Sequence, residues 1–442
     1  MLKYSMVKTR YAPSPTGEVH VGALRTILYN YAFAKHNNGK FILRIEDTDQ
    51  KRLVAGAIER IQKDILDMGL QFDEGPFVQT ERLDIYNEYI QKLIDSGHAY
   101  YCFCSQDRLK ELKSKYDRHC LKLSKEEIEQ KLKNNEAHVI RLKLPDNEVV
   151  TFKDAVRGDI SFNTKDLDDQ VLIKSDGIPT YHFAVVIDDH LMEITHVMRG
   201  DEWISSTPKQ ILLYRYLGWE TPIFAHLTAL LDPENKGKMS KRHGAVFVRQ
   251  FLDEGYLPQA LLNYLMLLGW NPGTEQEIFT LDDFISQFSL EKLHKSQPVF
   301  DPVKLRYFNG LYIRQKSDEE LSKLIPDYDS RFIPLIKSRI EILKDVNELL
   351  EFTKTDVVPP KELIDIEKIK EIKIILETTD FTFDTLQEKF LSLIKEKNYK
   401  TGDFFMSLRV AICGKKITPP IVESMIILGK ETCLRKINKL LK

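Results

Sequence analysis

Three groups of residues have types and spacings that could do chemistry. His20-Val-Gly22 stands at the head of a helical run, just after the turn Pro13 to Gly17. A helix N-terminus offers unpaired backbone N–H groups and a positive dipole end to phosphates. Gly22 has no side chain, so a flat base or ribose can come close, and His20 can donate to a phosphate oxygen gaining charge. A histidine at a helix start is more often a cap or a surface residue, so this motif is only as good as its companions. The second group is Lys238-Met-Ser-Lys-Arg242, set between Gly237 and Gly244. Cations on a loop that can close suit a pyrophosphate leaving group; alone, the pentapeptide reads better as a solvated basic turn. The third is Cys102-x-Cys104 with Cys120. Thiols at such spacing in a reducing compartment read as zinc ligands that need a fourth donor, and the plain alternative is a vestigial set of thiols. Cys413 and Cys433 lie in helical patterns and read as ordinary buried residues.

The elements that must position these groups follow from periodicity. Thr9 to Tyr11 reads as a short strand, 20–36 as a helix with apolar residues at helical spacing, and Lys40 to Ile45 as a buried strand running into Glu46-Asp-Thr-Asp49. Helices are expected over about 52–68 and from Thr80 to Ser96, with Thr80 as a possible cap. Strand alternating with helix predicts a Rossmann-like, doubly wound parallel α/β sheet. From 98 to 178 the texture is α+β, an insertion between two halves of that sheet. The α/β pattern resumes at 179, with a strand near Ile194 to Met198 and a helix over roughly 207–217. Beyond it the chain is mostly helical, for example over 257–268, 337–352 and 404–413. The expected division is 1–97 and 179–228 for the two catalytic halves, 98–178 for the insertion, 229–315 for a domain opened by the Lys238 loop, and 316–442 for a helical domain.

Composition bounds the rest. A length of 442 residues implies roughly three domains. The hydrophobic fraction of 43% and charged fraction of 29% are those of a globular protein, and no stretch approaches the ~18 apolar residues of a membrane helix. Five cysteines and no export-type leader point to a reducing, cytoplasmic setting without membrane attachment. The net charge of −2 averages over a basic end: residues 391–442 hold 11 Lys or Arg against 4 Asp or Glu, so +7. That end suits phosphate contacts, though a solvated helical face would look the same.

Taken together, His20-Val-Gly-Ala23 and Lys238-Met-Ser-Lys-Arg242 resemble the His-Ile-Gly-His and Lys-Met-Ser-Lys-Ser signatures of class I aminoacyl-tRNA synthetases. Ala23 and Arg242 depart from those signatures in a way familiar from the bacterial-type glutamyl-tRNA synthetases. Arg10-Tyr-Ala-Pro-Ser-Pro-Thr-Gly17, Arg44-Ile-Glu-Asp-Thr-Asp49, Pro179-Thr-Tyr-His182, Asp188-Asp-His190 and Arg199-Gly-Asp-Glu-Trp203 are similar to that branch as well. The resemblance is dense from about 7 to 310 and weaker beyond. Thr16 stands where glutaminyl enzymes carry an asparagine.

The resemblance implies a glutamate–tRNA ligase that activates L-glutamate with ATP and esterifies the end of tRNA-Glu, with Mg2+ arriving on ATP. It implies His20, Lys238 and Lys241 as catalytic residues and His20, Gly22, Glu202, Lys238, Ser240 and Lys241 at ATP. It places Arg10, Ala12, Ser14, Glu46, Tyr181 and Arg199 around glutamate. The chemistry agrees: guanidinium forks of Arg10 and Arg199 match carboxylates, and Glu46 can hold the ammonium. Each of these residues has a bland alternative as an ion pair or packing residue. Val185 replaces a polar residue common in the family, which leaves one substrate contact in doubt. Zinc-containing relatives carry a similar cysteine set, some with Tyr-x3-Cys, so Cys102, Cys104, Tyr116 and Cys120 are the expected zinc ligands, with His119 the alternative to Tyr116. The helical end would be an anticodon-binding domain, shorter than usual, in a chain expected to act as a monomer. Two neighbouring activities share these motifs: charging tRNA-Gln as well, and glutamylating a queuosine base, the latter without an anticodon-binding domain.

Overall fold

The computed structural model describes residues 6–112, 115–234, 237, 239, 247–356, 358–359 and 363–441. By packing, the chain divides into two units: Met1–Phe251 with Leu262–Asp301, and Leu252–Leu261 with Pro302–Lys442.

The first unit opens with β1 (Lys8–Tyr11), α1 (Val21–His36), β2 (Lys40–Ile45), α2 (Ala57–Asp67), β3 (Glu74–Val78) and α3 (Leu83–Asp95). β1 pairs in parallel with β2, and β2 with β3. Two helix starts fall later than periodicity suggests. Gly56, at φ +70, takes a left-handed turn that only then admits α2. Thr80 does not cap α3, because its hydroxyl and its N–H are both spent on Asp47, at 2.5 and 2.9 Å.

The segment that follows holds β4 (Ala99–Cys102), α4 (Gln106–Glu111), α5 (Lys125–Lys133), β5 (Val139–Leu142), β6 (Val149–Asp154), β7 (Gly158–Asn163) and β8 (Val171–Ile173). β4, β5 and β8 form a separate antiparallel sheet. The β6–β7 hairpin instead extends the sheet of the next elements. Those are α6 (Tyr181–Leu191), β9 (His196–Gly200), α7 (Thr207–Tyr216) and β10 (Ile223–Leu227). β10 runs parallel to β9 on one side and meets β6 on the other, with Phe224 opposite Asp154. β9 lies beside β1: the Thr195 N–H donates to the Lys8 carbonyl at 3.0 Å, and the Lys8 N–H to the Thr195 hydroxyl at 2.9 Å. Parallel strands from both halves therefore meet at the centre, at the edge where β1 and β9 end.

α1, buried along most of its length, backs this centre. Arg25 donates to the carbonyls of Leu268, at 2.8 Å, and Thr228. The Tyr29 hydroxyl reaches the Leu268 carbonyl at 3.0 Å, and Asn30 Nδ2 the Met198 carbonyl at 3.2 Å. Thr9 Oγ1 donates to the Asn30 carbonyl at 2.8 Å. One helix is thus bonded to β1, to β9, and to the start of the segment that leads to Lys238.

The second unit is helical, with helices at Pro302–Gln315, Asp318–Leu324, Asp345–Lys354, Ile366–Thr378, Phe383–Glu396, Thr401–Cys413, Ile421–Leu428 and Lys430–Leu440. Phe332, Phe352, Phe390, Phe404, Met425 and Ile437 sit in its core. The helix expected over 337–352 starts only at Asp345. The side chain of that residue takes the N–H groups of Glu341 and Ile342, at 2.8 and 3.0 Å, and holds the preceding turn out of helix. Among the described residues no helix is long and apolar enough to cross a membrane.

Candidate active site

A cavity of about 790 Å³ opens where β1, α1, β9 and β10 converge. Its wall includes Arg10, Ala12 and Ser14 from the end of β1, Glu46 after β2, Tyr181 at the head of α6, and Arg199 and Glu202 at the end of β9. His20 and Gly22 at the head of α1 close another side. Every described residue of the expected glutamate and ATP sets therefore lines one cavity. Lys238, Ser240, Lys241 and Arg242 lie outside the described residues. Met239 lines the cavity, its N–H on the Leu230 carbonyl at 3.1 Å. Phe247 bridges to His20, and the Val248 N–H bonds the Val19 carbonyl at 2.9 Å.

His20 is the N-cap of α1, and its Nδ1 accepts the Gly22 N–H at 3.0 Å. That bond fixes the tautomer of the neutral ring, leaving the hydrogen on Nε2 as a donor. A Cβ on residue 22 would lie 3.3 Å from that Nδ1, so the glycine keeps the cap geometry as well as an open wall.

Behind the wall lies a buried ionic lattice. Asp189 receives Arg10 through Nε at 3.1 Å and Nη2 at 3.4 Å, and Arg44 Nη1 at 2.8 Å. Arg44 is fully buried and also donates to Glu46 Oε1 through Nη2 at 3.0 Å. The neighbouring Asp188 takes Gln79, Arg82 and Tyr86. Three arginines (Arg10, Arg44 and Arg82) and three carboxyl groups (Glu46, Asp188 and Asp189) thus interlock, which fixes Arg10 and Glu46 before any substrate arrives. Burial drives the Glu46 carboxyl up to about 7, against the opposing pull of Arg44 and Arg10. Asp189 is held below the ordinary carboxylate range: burial works against its charge, but Arg10 and Arg44 prevail.

Arg199 is bound differently. Its Nε donates to His226 Nε2 at 3.1 Å, Nη1 to the Tyr181 hydroxyl at 3.2 Å, and Nη2 to Thr207 Oγ1 and Gln210 Oε1, both at 2.8 Å. All these partners are neutral oxygens or nitrogens, and among the described residues no carboxylate pairs with it. A buried guanidinium held this way keeps its charge unpaired by any described carboxylate and can receive an incoming one. Val185 does not line the cavity; it is 2% exposed and packs in the core one turn from Tyr181. Arg44, Asp189, Asp154 and His226 were not expected as site residues. The Arg44-Ile-Glu-Asp-Thr-Asp49 and Asp188-Asp-His190 motifs contain the first two of these, whereas Asp154 and His226 lie in no motif singled out in the sequence.

The cysteine group lies at the end of β4. Cys102, Cys104 and Cys120 place their sulfurs within 4.8 Å of one another. The Tyr116 hydroxyl lies 3.2 Å from Cys102 Sγ and 3.6 Å from Cys104 Sγ, and Cys104 Sγ is 3.4 Å from Cys120 Sγ. Tetrahedral zinc with such donors has edges of about 3.5–3.8 Å, so these three separations are close to the size of such a site. His119 does not join the group of neighbouring donors. Arg108 Nη1 lies 3.5 Å from Cys104 Sγ, and the Arg141 guanidinium 4.3 Å from the Tyr116 ring centre. Cations at both places would offset the excess negative charge of a thiolate site.

Residues 6–307 match the family described as tRNA synthetases class I (E and Q), catalytic domain, and residues 294–441 match an anticodon binding domain. The chain is 44% identical to the glutamate–tRNA ligase of Clostridioides difficile (strain 630), with 98% of each chain covered. The chain belongs to the glutamate–tRNA ligases. Among solved structures of this family, it is similar to the glutamate–tRNA ligase of Elizabethkingia meningosepticum, crystallised with its amino acid, at 34% identity and a TM-score of 0.89 over 99% of both chains. The enzyme from Elizabethkingia anophelis superposes comparably, at 35% identity and a TM-score of 0.88, covering 99% of this chain and 100% of the other. As a glutamate–tRNA ligase the chain is a class I enzyme with the Rossmann-like catalytic sheet and the helical C-terminal region expected from its sequence. The anticodon-binding match leaves no support for the queuosine-modifying alternative.

Proposed function

We propose that the cavity performs both half-reactions of glutamate–tRNA ligation, with the roles that follow. Arg10 and Arg199 receive the two carboxylates of L-glutamate, Ser14 and the Tyr181 hydroxyl add hydrogen bonds, and Ala12 leaves room for the aliphatic chain. Glu46 takes the ammonium. ATP lies across the head of α1, its phosphates near the His20 Nε2–H and its ribose near Glu202, with Lys238, Ser240 and Lys241 meeting the outer phosphates. Mg2+ arrives on those phosphates. Among the described residues, the cysteine group is the one cluster of metal donors close enough to share an ion.

A glutamate carboxylate oxygen attacks the α-phosphorus, the bond to the β-phosphate oxygen breaks, and pyrophosphate leaves. The terminal ribose hydroxyl of tRNA then attacks the mixed anhydride, AMP leaves, and the ester remains. No protein nucleophile is required, so catalysis is positioning plus stabilisation of developing charge. The observation that carries this reading is the convergence of the described members of both expected residue sets on one cavity, with Arg199 lacking a carboxylate partner among the described residues. Glutamate-dependent ATP–pyrophosphate exchange in the presence of tRNA-Glu tests it, and no exchange overturns it. Within that assay Arg199→Ala raises the glutamate KM roughly a hundredfold, the scale of a lost buried charge pair. An unchanged KM removes Arg199 from the substrate site.

Cys102, Cys104, Tyr116 and Cys120 would hold a zinc ion that ties the end of β4 to the turn at Cys120, a structural role outside the reaction steps. The partners are tRNA-Glu, glutamate and ATP, in a monomer working in the cytoplasm. Aminoacylation of purified tRNA-Glu and tRNA-Gln decides whether the second is also a substrate.

A further inference from the structure

The substrate-facing Arg199 is backed by a relay that begins on a different sheet element. Asp154, the last residue of β6, is 1% exposed, and His226 on β10 is fully buried. His226 Nδ1 lies 2.7 Å from Asp154 Oδ2, and its Nε2 lies 3.1 Å from Arg199 Nε. A carboxylate can only accept and a guanidinium can only donate. The ring must therefore carry its hydrogen on Nδ1 and present a lone pair at Nε2. We infer that Asp154 and His226 are positioning residues for glutamate binding: Asp154 selects the His226 tautomer, and that tautomer holds Arg199 by its Nε. This inference rests on the reading of Arg199 as a carboxylate socket.

The surroundings keep the relay neutral at its centre. Burial lowers the pKa of His226, so the ring stays uncharged despite the hydrogen bond to Asp154. Asp154 stays ionised because the His226 bond and nearby backbone N–H groups outweigh its burial. Its other oxygen, Oδ1, accepts the N–H groups of Val156 at 2.9 Å and Arg157 at 2.8 Å. That division makes an isosteric test directional. Oδ2 also accepts the backbone N–H of His226, at 3.1 Å. In Asp154→Asn the two N–H groups on the Oδ1 side outweigh that one, so the amide oxygen stays with them and the NH2 faces His226. The ring then accepts at Nδ1, carries its hydrogen on Nε2, and points a donor at a donor on Arg199. The same inversion of a histidine by an Asp-to-Asn change is known from the serine-protease triad.

The test uses the full-length enzyme with tRNA-Glu. Asp154→Asn raises the glutamate KM roughly tenfold or more, the scale of a buried hydrogen bond turned repulsive, while the ATP KM changes little. His226→Gln can offer Arg199 an amide oxygen from a side chain that makes no bond to residue 154, while the backbone N–H of residue 226 keeps its bond to Asp154, so it costs less. The double variant Asp154→Asn with His226→Gln should recover most of the glutamate KM lost in Asp154→Asn and approach His226→Gln. A purely structural role for Asp154 makes the double variant at least as poor as Asp154→Asn, and that result overturns the inference. So does an unchanged glutamate KM in Asp154→Asn when Arg199→Ala remains defective. An Arg199→Ala enzyme with normal glutamate KM instead removes the underlying reading. Independently of folding in the variants, 15N spectra of the histidine-labelled wild-type protein should show His226 neutral with the hydrogen on Nδ1. A resonance protonated at Nε2 overturns the tautomer assignment outright.

Discussion

At the scale of single residues, the proposed seat of the substrate ammonium on Glu46 makes that carboxyl the expected control of the pH behaviour of amino-acid binding. Its carboxyl ionises at about 7 in the free protein, because burial outweighs the pull of Arg44 and Arg10. Only the carboxylate can hold an ammonium, so kcat/KM for glutamate rises as pH climbs through about 7 and levels above it. The groups facing Glu46 are Arg44, Arg10 and Asp189. Stability runs the opposite way. A carboxyl raised above its unfolded value of 4.5 stabilises the fold at low pH, and that contribution is lost as pH rises through about 7. Bound glutamate restores the balance, so its thermal stabilisation is larger at pH 8 than at pH 6. Glu46→Gln should flatten the kcat/KM limb while lowering its plateau; a limb that survives the substitution assigns the titration elsewhere. Glu46 was legible through the resemblance carried by Arg44-Ile-Glu-Asp-Thr-Asp49, since an acid after a buried strand reads equally well as an ion pair. The motifs that contain Arg44 and Asp189 did not reveal their partnership, which comes from a lattice joining β2 to α6 across 145 residues of chain.

At the scale of elements, the end of β4 and the turn at Cys120 are held together through the sulfur cluster, whose apolar surroundings are small. Tyr100, Cys102, Tyr116 and Cys120 are its buried members. A cluster of that size supplies little hydrophobic stabilisation, so a metal would dominate its stability. Elemental analysis of unchelated protein should find about one zinc per chain. Strong chelation should then expose three thiols to alkylation, whereas Cys413 and Cys433, pushed up to about 12 by burial, stay unreactive until the second unit unfolds. Five thiols reacting together, or none, would contradict this separation. The strands and α1 were readable because their apolar spacing is regular and their ends carry turn residues. The starts of α2 and α3 were not, because Gly56 and the Thr80–Asp47 bonds are tertiary choices. The β6–β7 hairpin was unreadable for the same reason: its alternation fits either sheet, and pairing with β10 decided the matter.

At the scale of the molecule, the basic end of the chain is less available than its composition suggests. Asp356 receives Arg435 at 2.8 Å, Lys436 at 3.2 Å and Lys439 at 3.3 Å, and Lys397 pairs with Glu371 at 3.1 Å. The Asp356 carboxyl lies far below the usual range because of those hydrogen bonds. Asp356→Asn should lower the melting temperature of the helical unit at low salt, and the loss should shrink at high salt, where repulsion among the released cations is screened. A salt-independent loss would point to packing instead. In the first unit, α1 has a further consequence. It carries His20, and it is bonded to Met198 next to Arg199, to Thr9 next to Arg10, and to Thr228 ahead of the Lys238 segment. The nucleotide side and the amino-acid side are therefore both referenced to one rigid rod. A displacement of that rod moves both sets of contacts by the same vector, and common motion cancels in the separation between attacking oxygen and phosphorus. On the roles proposed above, that shared reference would hold the reaction distance while the catalytic body moves.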